Sequence, residues 1–228
     1  MTTNFRSLPS WTYSSDAFFE LEKRALFLST WQLVCHLSNI PNNGDYFTFE
    51  LFDERIVAIR GDDGVVRAFH NVCSHRAARL LDGDSGNCGK RVTCPYHAWS
   101  YSLQGDLKRT PSKFLQKDFD PSSKSLFSVA VQEWRGFVFI NLDSDHAPAI
   151  ETVMDGKGLA HKNWPAEDLR VGHRFSKQIN CNWKIFWENF SECLHCPGVH
   201  PELSRLVPLY KRSLMETRDD PNWKTNSV

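Results

Sequence analysis

The sequence predicts an α+β fold, in which a small antiparallel β-domain is joined to further segments of mixed helix and strand. Three observations predict this class. Apolar residues recur at helical spacing near the N-terminus, short β-rich segments follow between Asp45 and Leu142, and helical spacing returns in the C-terminal third. Many short strands with frequent turns between them are typical of a small sandwich or barrel.

The composition indicates a globular protein with balanced charge. The chain has 228 residues, 41% of them hydrophobic, which suffices for one large domain or two modest ones. Its 27 basic side chains balance 27 acidic ones, so no net field attracts nucleic acid or an anionic membrane. The longest apolar runs are strand-sized and the N-terminus lacks a secretory signal, so we expect a cytoplasmic protein. The odd count of seven cysteines argues against a disulfide framework.

The elements of the first two-thirds follow from spacing and turn residues. A helix is predicted from about Ser15 to Thr30, with Ser15 or Asp16 as its cap. Turn signals at Asn43-Gly44, at Asp62-Asp63-Gly64 and at Gly105-Asp106 separate the β-rich runs. The predicted strands are YFTFELF, RIVAIR, VVRAFH, FSVAVQEW and GFVFINL.

The spacing of apolar residues changes in the C-terminal third. A short helix is predicted near Ala149 to Asp155, and a strand from about Arg170 to Ile179. A longer helix is predicted to start after Asn182, which is a good N-cap, and to end at Pro197. Its apolar residues at helical spacing are Trp183, Phe186, Trp187, Phe190 and Leu194.

Two short elements of the β-rich region each supply one cysteine and one histidine. Cys73 precedes His75 by two positions, and Cys94 and His97 follow after eighteen intervening residues. Zinc fingers tend to pair cysteine with cysteine and histidine with histidine along the chain. The alternation here suits a [2Fe–2S] cluster with thiolates on one iron and imidazoles on the other, an exchange that raises the reduction potential. A tetrahedral zinc site and buried cysteines with unrelated histidines are the alternatives.

A second candidate site follows in the C-terminal third. His195 and His200 are separated by four residues, and a bend at Pro197 lets both imidazoles converge on one metal. Two histidines and a carboxylate on one face of iron(II) leave positions open for oxygen and substrate. By spacing alone a histidine pair is common, so a structural role stays open. Cys193 and Cys196 form a CxxC around His195, for which a zinc or redox pair is an alternative, but packing on the helix and near its end is the favoured interpretation.

The residues around both sites resemble one known family. The runs CSHRAARL and CPYHAWSYSLQGDL resemble the cluster-binding signature of Rieske proteins, especially the oxygenase component of Rieske non-haem iron oxygenases. In that family a glycine often follows the second histidine, where this sequence has Ala98, a departure without consequence for ligation. The run NWKIFWENFSECLHCPGVHPEL is similar to the family's mononuclear-iron signature, and both signatures occur in the family's order.

The resemblance implies an activity, cofactors and partners. It implies an oxygenase subunit with a [2Fe–2S] cluster and mononuclear Fe(II), which takes electrons from an NAD(P)H-dependent reductase or ferredoxin. It also implies a homotrimer in which Glu192 links His97 of a neighbouring subunit to His195. Glutamate at this position is similar to the branch that oxidises choline, glycine betaine or carnitine, whereas aromatic-ring hydroxylators usually have aspartate. The expected reaction is O2-dependent hydroxylation or oxidative N-demethylation of a small quaternary amine or aromatic acid.

The resemblance also implies a domain plan and a truncation. Residues 1–37 would form an N-terminal helical segment packing with the catalytic domain, 38–145 the Rieske domain, and 146–228 the beginning of the catalytic domain. The family's third iron ligand is an aspartate far downstream, and no carboxylate here matches its position. We therefore expect an α+β catalytic domain that is incomplete, and an electron carrier or inactive fragment is the alternative to an oxygenase.

Overall fold

A computed structural model describes residues 7–111, 118–154, 164–192, 194–208 and 210. The chain divides into two compact units. One unit joins Met1–Phe19 to Phe175–Val228, and the other comprises Glu20–Arg174. The α+β class is confirmed, because the larger unit is built mainly of antiparallel strands and the smaller one of helices. The predicted domains 1–37, 38–145 and 146–228 stay a prediction.

The larger unit is organised around one long antiparallel sheet. Among the described residues the sheet has the order β1-β10-β9-β4-β3-β2-β5, and a smaller sheet has the order β6-β7-β8. All five predicted β-rich runs are strands of the long sheet. The strands are β1 Gln32–His36, β2 Asp45–Leu51, β3 Glu54–Arg60, β4 Val66–His70, β5 Ser85–Asn87, β6 Val92–Thr93, β7 Ser100–Tyr101, β8 Leu107–Arg109, β9 Ser128–Trp134 and β10 Phe137–Asn141.

Strand β3 separates two hydrophobic cores. Its residues alternate between the two faces of the sheet, as a period of two requires. Ile56 and Ala58 pack into a core with strands β1 and β10, whereas Val57 and Ile59 pack into a second core. The second core also contains Cys73 and Cys94, so the two candidate cysteine ligands are anchored in its apolar interior.

The predicted turns form where glycine can adopt a left-handed backbone. Gly64 has φ 77° in the turn between β3 and β4, and Gly105 has φ 94° between β7 and β8. A Cβ on Gly105 would lie 2.5 Å from a ring carbon of Phe69, so this turn closes tightly over the second core. Glycine at this position lets β8 fold back onto β7, the strand that follows the second cysteine–histidine loop.

The N-terminal helix forms largely as predicted. It comprises α1 Trp11–Ser14, α2 Asp16–Glu22 and a π-helical turn Lys23–Phe27. Ser15 acts as the predicted cap, because its Oγ accepts a hydrogen bond from the backbone N–H of Phe18 at 3.2 Å.

The C-terminal helices depart from the sequence prediction at two points. The helices are α3 Ile150–Met154, α4 Trp183–Ser191, α5 Cys196–Val199 and α6 Pro201–Leu206. Helix α3 confirms the predicted short helix, although Asp155 lies outside the described residues. The strand predicted from Arg170 to Ile179 is wrong: these residues have no strand partner in the described part of the chain, and their apolar side chains are exposed. No helix in the described segments is long and apolar enough to cross a membrane.

Helix α4 is shorter than predicted. It begins after Asn182, whose side chain accepts a hydrogen bond from the backbone N–H of Lys184 at 3.0 Å, which confirms the predicted cap. It ends at Ser191, because Glu192 adopts an extended backbone and its carboxylate accepts from the N–H of Leu194 at 2.5 Å. A side chain that binds nearby backbone groups competes with the helical bonding pattern. Pro197 therefore lies in the first turn of α5 and does not end α4.

Candidate iron–sulfur and mononuclear iron sites

The two cysteine–histidine elements form loops of the same conformation. In the first, Cys73 N–H donates to the carbonyl of Ala78 at 2.8 Å, and Cys73 O accepts from Ala77 N at 2.9 Å. In the second, Cys94 N–H donates to Trp99 O at 2.8 Å and Cys94 O accepts from Ala98 N at 3.0 Å. Each loop thus closes with the same pair of hydrogen bonds around its cysteine. Each loop carries one cysteine and one histidine, although His75 lies two positions after its cysteine and His97 lies three positions after its own.

The same backbone position is left-handed in both loops. Ala77 has φ 54° and Ala98 has φ 55°, and both residues lie four positions after their cysteine. A left-handed backbone favours glycine over residues with a Cβ. This geometry explains why a glycine after the second histidine suits the family pattern, and it shows that Ala98 preserves the loop.

The four candidate ligands form two close pairs, one of cysteines and one of histidines. Cys73 and Cys94 are buried and lie within hydrogen-bonding reach of each other, and burial raises the pKa of the Cys73 thiol. The imidazole rings of His75 and His97 have centroids 5.0 Å apart. Desolvation and the neighbouring His97 lower the pKa of His75, which favours the neutral form that binds metals.

The donor arrangement fits a two-iron cluster. Nδ1 of His97 is buried and has no hydrogen-bond partner among the described residues, as expected of an atom kept for a metal. No three His, Cys, Asp or Glu side chains of the described segments converge on one point to hold a single metal ion. Two thiolates and two imidazoles match a [2Fe–2S] cluster, since each iron of such a cluster takes two protein ligands.

Aromatic rings hold both histidines in place. The ring of His75 stacks on Trp99 at 4.6 Å between centroids, with an interplanar angle of 6°. Trp99 is itself buried and makes an edge contact with Phe119. The ring of His97 stacks on Tyr96 at 3.7 Å. These ring contacts favour the observed orientations of both imidazoles.

Two residues beside the cluster ligands, Tyr101 and Ser74, were not predicted as site residues. The hydroxyl of Tyr101 lies 3.1 Å from Cys73 Sγ and 3.0 Å from Ser74 Oγ. Ser74 Oγ also donates to the carbonyl of Lys124 at 2.6 Å. Both residues belong to the quoted motifs, but their contact depends on how β7 pairs with β6 and β8. The sequence carries no signal for this contact, because the burial of Tyr101, whose hydroxyl then needs a partner, is seen only in the fold.

In the smaller unit, the short helix α5 lies between His195 and His200. His195 precedes its first residue and His200 follows its last, and the two rings have centroids 5.3 Å apart. Backbone bonds from Val199 N to His195 O and from His200 N to Cys196 O, both 2.9 Å, close this turn. The structure therefore brings the two predicted iron ligands together. Cys193 lies outside the described residues, and Cys196 is buried.

Glu192 orients His195. Its Oε1 lies 2.6 Å from His195 Nδ1, and because a carboxylate only accepts, Nδ1 carries the proton. Nε2 of His195 is then the lone-pair donor for a metal, an arrangement common among metal-binding histidines. Hydrogen bonds from His195 and from the N–H of Leu194 lower the pKa of Glu192, so the carboxylate stays ionised.

The N-terminal residues hold the helix that leads to this site. Lys184 of α4 is buried, and its ammonium lies 5.1–5.6 Å from the ring centroids of Trp183, Phe18 and Tyr13. The Tyr13 hydroxyl donates to Glu188, and Asn182 Nδ2 donates to Tyr13 O at 3.1 Å. Cation–π contacts and hydrogen bonds thus fasten α4 within the smaller unit.

Fold and donor set together define a class of protein. A small antiparallel β-domain with two equivalent cysteine–histidine loops is the mark of a Rieske-type iron–sulfur protein. The oriented histidine pair beyond it adds a candidate site for non-haem iron.

Comparisons with known proteins agree with this class. Residues 30–119 match the Rieske [2Fe-2S] domain, and residues 166–225 match the ring hydroxylating alpha subunit (catalytic domain). The carnitine monooxygenase oxygenase subunit of Acinetobacter baumannii is 38% identical over 90% of this chain and 55% of its own length. The glycine betaine monooxygenase oxygenase subunit of Chromohalobacter salexigens is 36% identical over 94% of this chain and 46% of its own.

A solved structure supports the same relationship. The quaternary ammonium Rieske monooxygenase CntA in complex with L-carnitine superposes with a TM-score of 0.81. It has 37% sequence identity, and the match covers 87% of this chain and 56% of that one. The chain therefore contains a Rieske [2Fe-2S] domain followed by part of the catalytic domain of ring hydroxylating alpha subunits, a domain that binds a mononuclear iron in that family. It spans about half the length of the curated relatives it matches.

Proposed function

We propose that this protein acts as the oxygenase component of a Rieske monooxygenase or dioxygenase. It would use O2, and electrons from an NAD(P)H-dependent reductase or ferredoxin, to hydroxylate or oxidatively N-demethylate a small molecule. The observation that carries the proposal is the presence of two donor sets in one chain, at the cysteine–histidine loops and at the histidine pair around α5. A simple electron carrier needs only the first set.

Each site residue has a role in the proposal. Cys73, His75, Cys94 and His97 would hold the [2Fe–2S] cluster, which stores one electron at a time. His195 and His200 would hold the mononuclear iron, which supplies the O2 chemistry when bound. Glu192 fixes the ring of His195 and keeps its Nδ1 protonated, and the third carboxylate ligand is not among these residues.

A quaternary amine is the proposed substrate class, with an aromatic acid as the alternative. Glu192 supports this choice, as do similar proteins named for carnitine and glycine betaine monooxygenation. A cytoplasmic location and a homotrimer complete the proposal. In the trimer, the carboxylate of Glu192 would join its own His195 to His97 of a neighbouring subunit. A head-to-tail ring of this kind is a closed assembly.

The first test is the metal content of the anaerobically purified chain. A loaded cluster contributes two irons and two acid-labile sulfides, and an occupied mononuclear site adds one iron. We expect His195→Ala and His200→Ala to remove only the additional iron and to leave the sulfide unchanged. Zinc without sulfide would contradict the cluster assignment.

The second test concerns the substrate. With reductant and O2 supplied, we expect oxygen consumption to rise with carnitine, glycine betaine or choline and to stay at the background rate with benzoate. Two variants of Glu192 form a matched pair for this assay. Glu192→Asp keeps the negative charge of the carboxylate, whereas Glu192→Gln removes it. A sample with cluster but no additional iron and no substrate-dependent oxygen uptake would favour an electron carrier.

A further inference from the structure

A short chain of hydrogen bonds ends at one candidate cluster thiolate. The hydroxyl of Tyr101 lies between two acceptors, with Cys73 Sγ at 3.1 Å and Ser74 Oγ at 3.0 Å. Ser74 Oγ in turn lies 2.6 Å from the carbonyl oxygen of Lys124. Tyr101 and Cys73 are almost fully buried, so water does not compete for these bonds.

The protons in this chain can be assigned by elimination. The Lys124 carbonyl can only accept, so the single hydroxyl proton of Ser74 is given to it. Cys73 as an iron ligand is a thiolate and has no proton to donate. Tyr101 is therefore the donor in both of its contacts, and its one proton serves two acceptors at nearly equal distances. The backbone N–H of His75 also donates to Cys73, and this bond does not involve Ser74.

We infer that Ser74 tunes the reduction potential of the cluster by competing with Cys73 for the proton of Tyr101. The inference rests on the proposed cluster at Cys73. A hydrogen bond to a ligand sulfur withdraws electron density and favours the reduced cluster, which raises the potential. The more strongly the Tyr101 hydroxyl donates to Ser74, the more weakly it donates to the Cys73 thiolate. Ser74 is thus a positioning residue that acts through Tyr101 and holds the potential down.

The two residues therefore have effects of opposite sign. Ser74→Ala leaves Cys73 as the only acceptor, so the potential rises. Tyr101→Phe removes the donor, so the potential falls. When the donor is already absent, Ser74 has nothing to compete for, and its removal changes nothing. A merely structural role for Ser74 would not produce this sign pattern.

The test is a redox titration of the loaded chain, followed by circular dichroism of the cluster. We expect Ser74→Ala to raise the equilibrium constant for reduction about threefold, or about 28 mV for a one-electron couple. We expect Tyr101→Phe to lower it about tenfold, or about 59 mV. Ser74→Thr keeps the hydroxyl and is the matched control, with a potential equal to that of the parent chain.

The double variant decides the outcome. In the Tyr101→Phe background, Ser74→Ala should leave the potential unchanged. A fall or no change with Ser74→Ala alone, or the same rise in both backgrounds, would overturn the inference. If Ser74→Ala assembles no cluster, Ser74→Gly, which also lacks the hydroxyl, replaces it. A parent chain without acid-labile sulfide would instead refute the proposed cluster itself.

Discussion

At the scale of single residues, the cluster loops require a left-handed backbone at one position each. Ala98 closes the second loop by donating its N–H to Cys94 O, and it does so with φ 55°. A left-handed backbone costs a residue with a Cβ about 1–2 kcal/mol relative to glycine. We expect Ala98→Gly to raise the free energy of unfolding by about 1 kcal/mol, measured by urea titration of tryptophan fluorescence. Ala130→Gly, in strand β9, should instead lower it by about 0.5–1 kcal/mol. Destabilisation by both changes would refute the strain argument.

A second residue-scale prediction concerns acid stability. Asp63 accepts two hydrogen bonds from Arg67, at 2.7 and 2.9 Å, and one from Val65 N, and these bonds lower its pKa from 3.8 to about 2. The unfolded chain therefore binds more protons in this window, so the stabilisation is present above pH 3.8 and is lost toward pH 2. We expect Asp63→Asn to flatten the fall in unfolding free energy between about pH 4 and pH 2. Asp53→Asn, at an exposed turn, should leave the slope as it is in the parent chain.

At the scale of elements, the sequence predicts what depends on local pattern. The five long strands, the turns at Gly64 and Gly105 and the cap at Asn182 follow from spacing and side-chain chemistry. Helix α4 ends early because Glu192 binds Leu194 N and His195, a contact that helical periodicity does not contain. The role of Tyr101 was missed for a similar reason, since its partners lie 27 and 28 residues away along the chain.

The element that leads to the histidine pair allows a test of its own. Asn182 caps α4 through its carbonyl oxygen and binds Tyr13 O through its amide. Asn182→Ala removes both bonds and should cost about 1–2 kcal/mol locally, whereas Asn182→Asp keeps the cap and loses only the contact with Tyr13. We expect hydrogen exchange of the α4 amides to accelerate most with alanine and less with aspartate, with the amides of β3 as internal reference. Equal rates in both variants would show that the cap contributes nothing.

At the scale of the whole molecule, the low net charge and the exposed apolar surface both favour self-association. The chain has a formal net charge of +0 and a sequence pI near 7.1, so little repulsion separates copies at neutral pH. In the described residues the only buried side chain of α4 is Lys184, while Phe186, Trp187 and Phe190 are 46%, 53% and 67% exposed. Phe190 contacts both neighbouring rings, so the three form one continuous aromatic surface. Surfaces of this kind promote association.

This surface leads to a prediction about self-association. A phenylalanine that becomes buried in a contact contributes about 1.5–3 kcal/mol, so we expect Phe190→Glu to weaken self-association near pH 7 by roughly tenfold or more. Sedimentation velocity over a range of concentrations measures the change. Phe127→Glu makes the same change in charge at a ring that is 57% exposed in the other unit, and it should have a much smaller effect. An equal effect of the two variants would mean that added charge governs association, and that the aromatic surface of α4 does not.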